Sequence, residues 1–276
     1  MTTGDASQAP DSILVPFDPT RTSIAPVYDW IRAGTPGKDA FRVDRDAGDA
    51  VLKEAPWLRE VLRENWLFLE RAVDLLAALG IDQFVDVGAG MPTKPYLYEI
   101  ARTKQPDMRW VAVDNDERVV INWRAAPGGD GVFTVAADVR LPLDLLEKVV
   151  KHIDLSKPTG FVFGALFHFV HDPKELYRIV ATFKRVAAVG SYFVVTHATQ
   201  QTGRDPAGAE AGAQRYREKV ADITLREEAE LEPLFGAGCQ LTHGWGRTID
   251  LLQPNSGGVW HDQEAPHALA AIAKMI

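Results

Sequence analysis

From residue 81 onward the chain alternates short apolar runs with helix-compatible segments, and this rhythm constrains the fold more than any other feature. The runs are "DQFVDV" (82–87), "RWVAVD" (109–114), "VFTVAAD" (132–138), "GFVFGAL" (160–166) and "SYFVVTH" (191–197). Each is strand-sized and nearly continuous in apolar residues, which predicts burial on both faces. Between them lie "PYLYEIARTK", "LDLLEKVVKHI" and "KELYRIVATFKRV", whose apolar spacing suits helices. Strands alternating with helices predict an α/β fold: a doubly wound, mostly parallel sheet covered on both sides. "TLREEAELEPLF" reads as one more helix. Two strand-like pieces near 239–243 and 248–252 then predict an antiparallel hairpin at the sheet edge.

The same pass divides the chain. Residues 1–20 are polar and aperiodic and read as a mobile tail. Residues 21–80 predict a helical cap, with Leu58, Leu62, Trp66, Leu69, Val73 and Leu76 at helical spacing. Pro56 suits a first turn and Gly80 a C-terminal stop. Residues 81–276 form the core. Residues 198–217 are rich in Gly, Ala and Gln and follow the last central strand, a place for a flexible substrate loop or a plain surface loop.

Charge narrows the partners. The net charge is −8, and no Lys/Arg run offsets it, so the chain repels phosphate backbones and anionic membrane surfaces. Nucleic acid and membrane are therefore not expected partners. The single cysteine, Cys239, allows no internal disulfide and no Cys-based zinc site, which suits a reducing cytoplasm. The first residues, "MTTGDASQAPDS", lack the features of a secretory signal, and no apolar run approaches the ~18 residues of a membrane span. Oligomeric state is left open, with a dimer compatible.

The chemistry gathers at strand ends, where open parallel sheets bind ligands. The first strand breaks into Gly88-Ala89-Gly90. A dinucleotide turn would carry a third glycine, but Pro92 and Thr93 stand there, and no P-loop pattern is present. Asp114 closes the second strand, placed to hydrogen-bond both hydroxyls of a ribose. Asp138 closes the third, placed to accept from an adenine amino group or to cap a helix. Asp86, Asp114 and Asp138 on successive strand ends suit a cationic adenosyl ligand without phosphate better than a dinucleotide.

These residues resemble the S-adenosylmethionine-dependent methyltransferases, and more closely an actinobacterial family first known as an uncharacterised domain family. The resemblance runs from about residue 21 to 255. It rests on "VYDW…GKDAF.VDR" (27–45), "REN..FLERAVDLLAALGIDQFVDVGAGMPT" (63–93), "VAVDND..VV" (111–120), "ADVRLPLDLL" (137–146), "ALFHFVHD" (165–172) and "GSYFVVTHAT" (190–199). It implies a class I methyltransferase fold with S-adenosyl-L-methionine as cofactor. The implied cofactor residues are Tyr28, Lys38, Asp86, Gly88, Gly90, Asp114, Asn115, Asp138, Val139 and Ala165, with the N-terminal helices closing over them. Lys38 is placed to pair with the methionyl carboxylate. The chain departs from the family in the stretch after Tyr28-Asp29, which is about three residues longer and carries Ala40 for the usual Asn, and at Pro95 and Tyr98. Such changes in the lid and pocket walls point to a specialised acceptor.

Methyl transfer from a sulfonium needs alignment first and a general base only where the nucleophile must lose a proton. His168 and His171 follow the fourth strand and His197 ends the fifth. His197 and His168 are the candidate bases, with His168 reading equally as a buried structural residue that hydrogen-bonds backbone near the cofactor. A metal at His168 and His171 lacks a convergent third ligand, so no metal is expected. Trp30, Phe41, Phe167 and His171 are candidate walls of a pocket on which an aromatic small molecule would stack, with a place in the core as the competing reading for each aromatic ring. The readings kept beside this one are a non-catalytic binder of S-adenosylmethionine or S-adenosylhomocysteine and an NAD-dependent oxidoreductase.

Overall fold

The computed structural model describes residues 14–33, 40–200, 205–251 and 266–276. Three helices come first: α1 (Ile24–Ala33), α2 (Arg42–Glu54) and α3 (Leu58–Ala78). Along α3 the buried residues Val61, Asn65, Phe68, Leu69, Ala72, Val73 and Leu76 recur every three or four positions and form one face. Gly80 (φ 92°) ends the helix, and the Ile81 N–H returns to the Leu76 carbonyl at 3.0 Å, satisfying one of the last free acceptors.

The core then runs β1 (Gln83–Val87), α4 (Leu97–Lys104), β2 (Arg109–Asp114), α5 (Glu117–Ala125), β3 (Val132–Ala136), α6 (Pro142–Val149), β4 (Gly160–Phe163), α7 (Pro173–Val186) and β5 (Tyr192–Ala198). It finishes with α8 (Pro206–Lys219), α9 (Glu228–Leu231), β6 (Cys239–Arg247) and β7 (Ala268–Met275). The sheet order is β3-β2-β1-β4-β5-β7-β6, with β1 to β5 parallel and β7 antiparallel to both neighbours. This is the doubly wound α/β sheet with an antiparallel edge. The chain winds outward from β1 in one direction and from β4 in the other, so the switch point lies between these two strands. Their carboxyl ends open a crevice there.

Alternate residues of each strand feed two cores. Val85, Val87, Val111, Phe161, Phe163 and Phe193 face one way, while Phe84, Trp110, Ala112, Val162 and Val194 face the other. α3 packs on the second face, beside α4.

The structure corrects three expectations. The second edge strand is Ala268–Met275, inserted between β5 and β6, and the stretch 248–250 only turns. Its sequence "ALAAIAKM" is rich in helix-favouring alanine, but Ala270, Ala271 and Ala273 are fully buried between two strands, where backbone pairing decides. The helix expected from 224 shrinks to α9 and a 3₁₀ turn (Glu232–Phe235), because Thr224 and Arg226 give their backbone N–H groups to His168 and Ala198 instead. Most of the expected loop at 198–217 is α8, started by Pro206 and by the Asp205 carboxylate, which accepts from the Gly208 N–H at 2.9 Å.

Val15 forms a parallel bridge with Asp116, so the chain is tied to the core before the cap begins. No helix among the described residues is long and apolar enough to cross a membrane.

Candidate active site

A cleft of about 450 Å³ lies over the carboxyl ends of β1 and β4, roofed by α1 and the segment leading into it. Its floor is the turn after β1. Gly88 and Gly90 both adopt left-handed conformations (φ 70° and 63°). A Cβ on Gly88 would stand 2.7 Å from Leu166 Cδ1, so a side chain there requires Leu166 to shift. The Gly88 and Ala89 N–H groups donate to the Val113 carbonyl at 2.8 and 3.0 Å, and the Gly90 N–H donates to Asp114 Oδ2 at 3.0 Å. The turn is therefore pinned to the end of β2.

Three carboxylates line this floor, each in a different electrical state. Asp86 is buried, and no donor among the described residues bonds its carboxylate. Burial, reinforced by the neighbouring Asp114, pushes it up to about 7. Burial also raises Asp114, to about 6, against the bonds it accepts from the N–H groups of Asp116 and Gly90. Asp138 behaves in the opposite way. Burial works against its charge, but Arg140 and Asn115 donate to both its oxygens at 2.5–2.9 Å and hold it below the ordinary carboxylate range. Asn115 and Val139 border the cleft beside these groups.

Across the switch point the wall is Ala165, a non-glycine residue at φ 50° whose N–H donates to Thr196 Oγ1 at 2.8 Å. Such a conformation costs about 1–3 kcal/mol and aims the chain from β4 into the cleft rather than along the strand. From the roof, the Tyr28 hydroxyl accepts a bond from Asn65 Nδ2 at 2.7 Å, and burial pushes its pKa up to about 12, so it stays protonated.

The cap is fastened by buried polar contacts. Asp44 on α2 pairs with Arg118 on α5 at 2.8 Å, both almost fully buried, and also accepts the Ser23 N–H. Ser23 Oγ donates to Asp116. These contacts draw the entry to α1 onto the ends of β2 and α5.

The structure gathers Tyr28, Asp86, Gly88, Gly90, Asp114, Asn115, Asp138, Val139, Ala165 and His171 around one cleft. Lys38 lies outside the described residues. Other expectations are corrected. Trp30 turns away from the cleft, donating to Asp49 and packing on Gly48. Phe41 sits under the Arg118 guanidinium, 4.0 Å from its ring centroid. Phe167 is fully buried and stacks on Phe163 at 4.8 Å. Tyr98, fully buried, stacks on Tyr96 and does not reach the cleft.

The two candidate bases are also inward-facing. His197 Nδ1 donates to the Ala198 carbonyl at 2.6 Å, and its Nε2 accepts from Arg226 at 3.1 Å. Burial and this guanidinium lower its pKa to about 4. With its lone pair engaged, His197 has nothing to offer an acceptor proton. His168 is likewise buried, its pKa lowered well below normal by burial, and neither ring borders the cleft.

Sequence reasoning missed Asp29, Arg32, Asn65, Trp66 and Thr93, all of which line the cleft. Asp29 Oδ1 accepts from Thr93 Oγ1 at 3.0 Å and from Arg32 at 2.8 Å. Asn65 left a readable signal: it is the polar residue on the otherwise apolar stripe of α3.

The cleft fits an adenosyl sulfonium. It combines a left-handed glycine turn, a buried carboxylate with no donor among the described residues to receive an ammonium group, and strand-end carboxylates for a nucleoside. Fold and site together define a class I methyltransferase. The model of the S-adenosyl methyltransferase family matches residues 11–246, and the chain belongs to that family. Two solved structures agree. A candidate methyltransferase of Thermobifida fusca YX is 31% identical, with a TM-score of 0.83 over 93% of this chain and 96% of its own. A DUF574 family protein of Streptomyces avermitilis MA-4680 is 30% identical, with a TM-score of 0.84 over 94% and 99%. A search of curated proteins gave no match. The cofactor of this chain is S-adenosylmethionine.

Proposed function

We propose that the chain methylates a small molecule, a specialised metabolite, by in-line SN2 transfer from S-adenosylmethionine. The observation that carries this reading is the wall facing the glycine turn. It includes Trp66, Leu69, Phe169, Val170, Val220 and Asp222, which are apolar, aromatic or acidic, together with Arg32 beside Trp66 and His171 beside Asp222. Such a wall suits a compact, partly aromatic acceptor held beside the cofactor. Of the arginines that line the cleft, Arg32 and Arg140 are each paired with an aspartate, which makes a poor track for a phosphate backbone, in keeping with the net charge of −8. The single cysteine supports a cytoplasmic setting.

In this reading Asp86 and the Gly88–Gly90 turn receive the amino-acid tail of the cofactor. Asp114 with Asn115 receives the ribose hydroxyls, Asp138 and Val139 the adenine edge, and Ala165 the side nearest the sulfur. Bound S-adenosylmethionine supplies an electrophilic methyl group. The protein contributes alignment and exclusion of water, and alignment alone is worth several kcal/mol, up to about 7–11. Tyr28 stays protonated and acts as a donor toward bound groups. Of the three expected histidines, His171 is the one that borders the cleft, with Nδ1 against Thr224 Oγ1 at 2.9 Å and Nε2 4.0 Å from Asp222. It takes the place of His197 as the group positioned to receive an acceptor proton.

The test is transfer from trideuteromethyl-labelled S-adenosylmethionine into a fractionated actinobacterial extract, read by mass spectrometry. Label in a discrete low-mass compound supports the reading. Binding of the cofactor with no labelled compound in any fraction supports the non-catalytic binder instead.

A further inference from the structure

Arg32 is the cleft-lining cation that the glycine turn does not explain. It sits in the part of the chain that departs from the family pattern, four residues after Tyr28. Its side chain is only 11% exposed, and its guanidinium lies 4.6 Å from the centroid of Trp66. One nitrogen, Nη2, donates to Asp29 Oδ1 at 2.8 Å. No described residue accepts from Nε or Nη1 of this guanidinium. Glu70 feels the charge of Arg32, but the guanidinium lines the cleft with donors that no described residue takes up, and arginine's fork matches a carboxylate in two-point geometry.

Position identifies the acceptor. Asp29, which holds one corner of Arg32, is itself bonded to Thr93, three residues beyond Gly90. This links the guanidinium, through Asp29 and Thr93, to the segment that follows the glycine turn. The other arginines lining the cleft are engaged or outlying: Arg140 is bound to Asp138, and Arg21 is exposed. The amino-acid end of the cofactor carries a carboxylate that no acidic floor can hold.

We propose that Arg32 binds the methionyl carboxylate of the cofactor, with Asp29 and Trp66 fixing the plane of the guanidinium. Asp86 then holds the ammonium and Arg32 the carboxylate, so the two ends of the zwitterion are read by opposite charges. The assignment differs from the role expected of Lys38. It depends on the cofactor alone, and it stands or falls independently of the acceptor.

The test is calorimetric titration with two probes: S-adenosylhomocysteine and its decarboxylated analogue, which keeps the adenosine, the thioether and the amine. The wild-type protein is expected to bind S-adenosylhomocysteine more tightly. Arg32→Gln is expected to weaken S-adenosylhomocysteine by about tenfold or more while leaving the analogue unchanged. Arg32→Lys, which keeps the charge and loses the fork, is expected to fall between. Equal losses for both probes, or none for either, overturn the proposal. So does a Lys38→Met variant that alone abolishes the preference for the carboxylate. If Arg32→Gln does not fold, Arg32→Lys and the wild-type preference decide: equal wild-type affinities, or an unchanged preference in Arg32→Lys, contradict the assignment.

Discussion

The Arg226 guanidinium donates to His197 Nε2 at 3.1 Å and, from the same buried position, to the carbonyls of Phe167, Val170 and His171. Arg226 is thus a brace between the end of β5 and the wall that follows β4. Arg226→Met leaves those carbonyls without a donor. At roughly 1–3 kcal/mol for each orphaned buried group, a loss of about 3 kcal/mol or more is expected in urea unfolding. His197→Gln keeps an acceptor for Arg226, so it is expected to cost only about 1 kcal/mol and to leave S-adenosylhomocysteine affinity unchanged.

Asp86 and Asp114 set a pH dependence. Both carboxyls lie above their ordinary value of 3.8, at about 7 and about 6. Between those values and 3.8 the unliganded folded protein holds protons that the unfolded chain has lost. Its stability therefore falls as pH rises through this window. A ligand ammonium favours the ionised carboxylates, so affinity for S-adenosylhomocysteine is expected to rise over the same window, with protons released on binding. Titration calorimetry in buffers of different ionisation enthalpy measures that release. Asp86→Asn is expected to remove most of it.

The two glycines of the turn separate strain from collision. Gly90→Ala meets no atom closer than 3.9 Å and carries only the left-handed penalty, about 1–2 kcal/mol. Gly88→Ala adds a 2.7 Å approach to Leu166 Cδ1 and is expected to be the more destabilising of the two in urea unfolding. Equal costs would mean that Leu166 yields freely.

The pairing of Asp44 with Arg118 fastens the cap to the core. Removing one partner of a buried ion pair costs about 3–5 kcal/mol. Arg118→Met is expected to lose stability on that scale and to speed hydrogen exchange in α1, whose entry is held by Ser23 through Asp44 and Asp116.

The residues legible in advance share one property: their position follows from chain-local rules. A glycine turn after a strand and aspartates at strand ends carry their location in the parallel α/β pattern, and Asp86, Gly88, Gly90, Asp114 and Asp138 all border the cleft. Aromatic and histidine side chains do not. Phe167 and Phe169 are two residues apart, yet the first stacks in the core and the second lines the cleft, a difference set by a 3₁₀ turn that apolar content does not encode. His197 looked like a base because it ends a strand, but its surroundings come from Arg226, 29 residues away. β7 carries no strand signal of its own, because its alanines favour helix and its pairing depends on β5 and β6.

The central claim is that this turn and these aspartates hold an adenosyl sulfonium cofactor. Parallel titrations of the wild-type protein and Asp114→Ala with S-adenosylhomocysteine and with NAD test it most directly. The expected result is saturable binding of S-adenosylhomocysteine, no binding of NAD, and a loss of about tenfold or more in Asp114→Ala from the missing ribose contacts. Binding of NAD in place of S-adenosylhomocysteine, or an Asp114→Ala variant that binds like wild type, would contradict it.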